Sequence, residues 1–74
     1  VEARFIYITC EDKAEALRLG KVLLQNHLVA CINVIEGMTS AYWWKGEMVE
    51  AKESILIAKS REEQVPALVQ KVKA

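Results

Sequence analysis

The feature that most constrains the fold is a strand-like run, a helical run and a second strand-like run in immediate succession. ARFIYITC, residues 3 to 10, is rich in β-branched and aromatic residues and ends at the acidic, turn-capable pair Glu11-Asp12, the pattern of a buried strand. From Lys13 to about His27 the residues are helix formers. Ala16, Leu19, Gly20 and Leu23 recur at i, i+3, i+4 and i+7, with Arg18, Lys21 and Gln25 opposite and Asp12 placed as N-cap. LVACINVIE, residues 28 to 36, returns to strand formers. Strand, helix and strand in this order are normally joined by a right-handed crossover between parallel strands.

The rest of the chain extends the pattern. Thr39 to Trp44 carries aromatics up to a turn at Lys45-Gly46-Glu47, and Gly37 marks a bulge if residues 28 to 44 form one bent strand. ESILIAKS, residues 53 to 60, supplies the next strand. Arg61 to Lys73 has helical spacing at Val65, Leu68, Val69 and Val72, with Ser60 as N-cap and Glu63 completing a capping box. The order β-α-β-β-α predicts an α+β, ferredoxin-like (split β-α-β) architecture whose closing strand is missing from this chain. Residues 1–74 are expected to form a single, C-terminally incomplete domain, or one whose closing strand another chain supplies.

At 74 residues the core is marginal without external support, so self-association is expected. Ten Lys plus Arg balance ten Asp plus Glu, which disfavours nucleic acid and anionic membrane as partners. No apolar run approaches the roughly 20 residues that span a bilayer, so no membrane insertion is expected. Two cysteines are too few for a disulfide framework and no secretory leader precedes the first strand, so a cytoplasmic location is expected.

Site chemistry is sparse. The ligands suited to copper or zinc are Cys10, Cys31, His27, Met38 and Met48, with no CxxC or HxxxH spacing. His27 reads as a helix-end residue, and Cys10 and Cys31 read as small buried strand residues before they read as metal candidates. With one histidine and no readable triad, no catalytic residue is assigned and the chain is not expected to be an enzyme. Glu47, Glu50 and Glu53 read as solvated turn charges rather than an acid-base pair.

Alternation along residues 53 to 59 places Glu53, Ile55, Ile57 and Lys59 on one face and Ser54, Leu56 and Ala58 on the other. Glu53 and Lys59 lie about 20 Å apart at roughly 3.3 Å per residue, so they cannot pair with each other. Each reaches a partner across a subunit boundary or extends to solvent. Tyr42, Trp43 and Trp44 put large rings on both faces of one strand; the subunit's own core serves one face and the other needs a cover. An intersubunit contact fits that need best, followed by a small-ligand cleft between subunits and then a nucleic-acid stacking platform. RNA recognition motifs share the element order but need basic, glycine and aromatic residues on a central strand, which ESILIAKS does not carry. Heavy-metal-binding domains of this order carry a CxxC loop where this chain has a lone Cys10.

Four blocks together resemble the CutA divalent-cation tolerance family. TCED resembles that family's Thr-Cys-Pro-Asp segment, with Glu11 in place of proline, and residues 28 to 35 resemble Leu-Ala-Ala-Cys-Val-Asn-Ile-Ile. SAYWWKG, residues 40 to 46, resembles Ser-x-Tyr-x-Trp-x-Gly, and ESILIAKS resembles Glu-x-x-x-x-x-Lys-Thr with Ser60 in place of threonine. The resemblance implies a ferredoxin-like subunit of a tight homotrimer joined through sheet edges, associated with copper or another divalent cation. It makes Cys31 a better metal candidate than Cys10. The histidines credited with copper contact in that family lie in a segment not present in this sequence. Two readings follow: a copper-responsive trimer, or a signalling or scaffold trimer that binds a small ligand in a cleft involving Tyr42, Trp44, Glu53 and Lys59.

Overall fold

The computed structural model describes residues 2–73. Strand β1 (Ala3–Cys10) leads through helix α1 (Lys13–Gln25) to β2 (Cys31–Trp44), which pairs with β3 (Glu47–Arg61); a 3-10 turn at Glu62–Gln64 leads into α2 (Val65–Lys73). The sheet order is β1-β3-β2, with β3 antiparallel to both neighbours. The two strands joined by α1 therefore run parallel with a third strand between them, the split β-α-β arrangement of a ferredoxin-like α+β fold.

Each element has a local cause. Asp12 caps α1 by accepting a 2.8 Å hydrogen bond from the Glu15 N–H, while Glu15 Oε1 accepts from the Glu11 N–H at 3.2 Å. The helix ends earlier than its periodicity predicts, at Gln25, because His27 takes a left-handed conformation at φ 56°. The His27 N–H bonds the Leu24 carbonyl and the Leu28 N–H bonds the Leu23 carbonyl, both at 3.0 Å, which is the pair of bonds that defines a Schellman cap. Residues 28–30 consequently belong to the helix exit and β2 begins at Cys31.

The sheet face under the helices holds the core. Cys10, Leu56 and Ala58 are buried with Ala16, Leu23, Val29 and Leu68, and Ile6, Ile8, Ile32 and Val34 pack against them. Gly20 lets α1 approach closely, since a β-carbon there would press on the side chains of Ile32 and Leu56.

Ser60 does not cap α2. It lies within β3, buried, and its hydroxyl donates to the Leu28 carbonyl at 2.7 Å, tying the end of β3 to the exit of α1. The capping-box pattern misled because β3 runs on to Arg61 and the chain then makes a 3-10 turn whose N-terminus has no side-chain cap. Pro66 sits in the first turn of α2, where a missing N–H costs nothing.

β2 and β3 continue past the end of β1 as a two-stranded ribbon, and the molecule is elongated, 42 Å by 22 by 21 Å. Lys45 and Gly46, at φ 51° and 80°, form its two-residue tip with both positions in the positive-φ region that tight hairpins favour.

Candidate interaction surface

Alternation along β3 divides the sheet sharply. Ser54, Leu56, Ala58 and Ser60 are buried under the helices, while Glu53, Ile55, Ile57 and Lys59 point to the opposite face, on which no element of the described chain packs. On that face β1 contributes Phe5 and Tyr7, 69% and 60% exposed, and β2 contributes Ile35, 50% exposed. β1 is therefore buried on one side only. Its sequence carries the signal, because Phe5, Tyr7 and Thr9 alternate with Ile6, Ile8 and Cys10.

A bulge at Glu36-Gly37 decides which aromatics join this surface. Ile35 pairs with Ile55 and Met38 with Glu53, so two residues of β2 stand opposite Ser54 alone, with Gly37 at φ 81°. Beyond the bulge the facing parity of β2 is reversed, and Met38, Tyr42 and Trp44 share the open face with Glu53 and Lys59. Trp43 and its partner Met48 occupy the other side of the ribbon. Tyr42, Trp43 and Trp44 are 46%, 73% and 60% exposed, so the subunit's own core covers neither side of the ribbon, contrary to the expectation that it serves one.

The four cleft candidates thus share one face without converging on one point. Tyr42 pairs with Val49, four residues from Glu53 along β3, or about 13 Å at strand rise. Lys59 lies six residues farther. Its ammonium stands 5.6 Å from the centre of the Phe5 ring, and Lys45 stands 5.7 Å from the Trp44 ring at the ribbon tip. The Tyr7 hydroxyl donates to Met38 Sδ at 3.2 Å, linking the two outer strands over the open face.

The two metal candidates are kept apart. Cys10 pairs with Ser54 on the helix side, and Cys31 pairs with Lys59 on the open side, half-buried. Burial pushes the Cys10 thiol up from its ordinary value of 9.0, with the Glu15 carboxylate adding to the effect. Among the described residues no three His, Cys, Asp or Glu side chains are grouped to hold a metal ion. A resident copper site inside one subunit does not fit these residues, since soft donors must converge to form one.

Sequence reasoning did not find a groove at the end of the sheet opposite the ribbon. About 450 Å³ in volume, it is lined by residues that include Phe5, His27, Leu28, Lys59, Arg61 and Gln64. Its lining comes from three separate segments, so the pattern of any one of them does not reveal it.

The CutA1 divalent ion tolerance protein family profile matches residues 4–74. A chloroplastic CutA 1 protein of Oryza sativa is 38% identical over 69 residues, which are 93% of this chain and 39% of the relative. The divalent-cation tolerance protein CutA of Thermus thermophilus is also 38% identical over 69 residues, covering 93% of this chain and 67% of its own. The crystal structure of CutA1 from Oryza sativa superimposes with a TM-score of 0.94 at 36% identity, over 99% of this chain and 67% of that one. The chain thus spans between two fifths and two thirds of the length of these relatives. With a profile match over nearly its whole length and the same fold in a solved relative, the chain belongs to the CutA1 divalent ion tolerance family.

Proposed function

We propose that this chain is a subunit of a cytoplasmic homotrimer that serves divalent-cation tolerance without catalytic turnover. The observation that carries the assembly is the set of exposed rings and aliphatic side chains, Tyr7, Ile35, Tyr42 and Trp44, that share the open face with half-buried Ile55 and Met38. Soluble subunits seldom leave such a patch bare, and covering a side chain such as Ile35 contributes about 1.5–3 kcal/mol when it is fully buried. The outer edges of β1 and β2 offer unpaired backbone donors and acceptors to a neighbouring copy, which supports joining through sheet edges. The projecting ribbon reaches beyond its own helices and is suited to lie against a second subunit.

Both cysteines are free, which suits a reducing compartment, and no helix of the described residues is long and apolar enough to cross a membrane. Copper enters this proposal only at Cys31, which lies on the face offered to other copies. One thiol is not a site, so donors from outside the described subunit must complete it.

Light scattering tests the assembly. The expected mass is that of three chains, with Tyr42→Ser and Trp44→Ser shifting the species toward monomer; a monodisperse wild-type monomer overturns the reading. Copper titration of the assembled protein tests the metal part, with affinity expected to fall in Cys31→Ser and to persist in Cys10→Ala.

The second reading, a trimer that binds a small ligand, is favoured by the groove beside Lys59, the one cleft candidate that lines it.

A further inference from the structure

We propose that the groove at the end of the sheet binds a small organic carboxylate with a planar apolar body. This deepens the small-ligand reading and rests on it, but moves the ligand from the ribbon to the sheet end. Lys59, Arg61 and His27 line the groove together with Gln64, and no acidic residue lines it. Apolar walls come from the exposed Phe5 ring and from Leu28. A mostly apolar cleft with a few convergent polar groups is the usual form of a small-molecule site.

The groove's polar side chains are available. None of the ion pairs among the described residues involves Lys59 or His27, and the Lys59 ammonium is held beside the Phe5 ring at 5.6 Å. Arg61 Nε is 3.6 Å from Glu63 Oε1, but both side chains are more than half exposed, and a pair of that kind is worth at most about 1 kcal/mol. A ligand carboxylate desolvated against Phe5 can displace it.

The Ala30 N–H is used by the Lys59 carbonyl, the Glu62 N–H by the Glu2 carbonyl and the Ser60 hydroxyl by Leu28. Lys and Arg side chains suit carboxylate and phosphate alike, and it is the apolar wall that favours a ligand with an apolar body over inorganic phosphate. The Schellman cap fixes the His27 backbone at the end of α1.

Phenylacetate, phenethylamine and inorganic phosphate, each titrated at millimolar concentration and followed by proton NMR of the His27 and Phe5 rings, test the proposal. Phenylacetate is expected to shift both rings saturably, phenethylamine is expected to leave them in place, and phosphate, which has no apolar body to rest on Phe5 and Leu28, is expected to bind more weakly than phenylacetate. The double variant Lys59→Met, Arg61→Gln should bind phenylacetate about tenfold more weakly or worse, the loss expected for a charge-assisted contact. His27→Asn keeps a residue that tolerates positive φ and should bind more weakly while giving an unchanged circular dichroism spectrum. Equal binding of phenylacetate and phenethylamine, or a double variant that folds and binds as the wild type does, overturns the proposal. If phenylacetate shifts only the Tyr42 and Trp44 rings, the small-ligand reading stands and its placement in this groove falls; if no probe binds, both fall.

Discussion

Ile35 and Met38 are three residues apart on β2, yet they face Ile55 and Glu53, which are two apart on β3. That one extra residue shifts the alternation of β2 in the sequence, so that Tyr42 and Trp44 emerge on the same face as Ile35 although they lie an odd number of positions along the chain from it. Deleting Gly37 restores equal spacing and keeps Met38 opposite Glu53 and Tyr42 opposite Val49, so both rings stay on the open face. The expected result is a chain that folds by circular dichroism and associates in light scattering as the wild type does. Gly37→Ala isolates the backbone contribution: an added β-carbon meets nothing within 4 Å, so the cost is that of the left-handed conformation, about 1–2 kcal/mol. Urea denaturation measures it.

Much of this was legible in the sequence, and the misses have physical causes. Period-two and period-3.6 patterns marked β1, α1 and the split β-α-β order, and Gly37 marked the bulge. Alternation along residues 53 to 59 identified Leu56 and Ala58 as facing one way and Lys59 the other. The capping-box pattern at Ser60 failed because a buried hydroxyl bond to Leu28, a tertiary contact, claims that side chain. The length of β3 was underestimated because residues 47 to 52 are rich in charges that suit a solvated ribbon as well as a loop. The groove around Lys59 was invisible because its lining is assembled by folding from distant segments.

His27 is the C′ residue of α1 at φ 56°, a position where glycine is the usual occupant. His27→Gly removes the β-carbon penalty and is expected to stabilise the fold by about 0.5–1 kcal/mol, whereas His27→Val should destabilise it, since a β-branched residue tolerates that conformation poorly. Paired urea melts of the two variants should bracket the wild type. A wild-type midpoint above that of His27→Gly would mean that the imbalance at the cap is made up by contacts of the imidazole.

The two faces of β3 respond differently to truncation. Leu56 is fully buried beneath α1, and Leu56→Ala leaves a cavity at an expected cost of about 2–5 kcal/mol, enough to unfold much of a marginal domain of this size. Ile57, its neighbour on the open face, is half-buried. Ile57→Ala should affect the melt of the dissociated subunit less and weaken association more. Denaturation at two protein concentrations separates these effects, because only the association part depends on concentration.

The cysteines report on both sides of the sheet. Burial raises the Cys10 thiol above 9.0, with Glu15 and Asp12 adding to the rise and Arg18 opposing it, so little nucleophilic thiolate forms at Cys10 near neutral pH. Iodoacetamide is therefore expected to modify the half-buried Cys31 first in the dissociated subunit, and assembly over the open face should slow that reaction while leaving Cys10 slow throughout. The same shift carries a stability signature. Because the folded thiol holds its proton more tightly than the unfolded one, its contribution is complete below pH 9.0 and is lost as pH rises through the raised folded value. Urea midpoints measured on either side of pH 9.0 should fall with rising pH more steeply in the wild type than in Cys10→Ala; equal slopes would show that the Cys10 thiol titrates alike in the folded and unfolded chains.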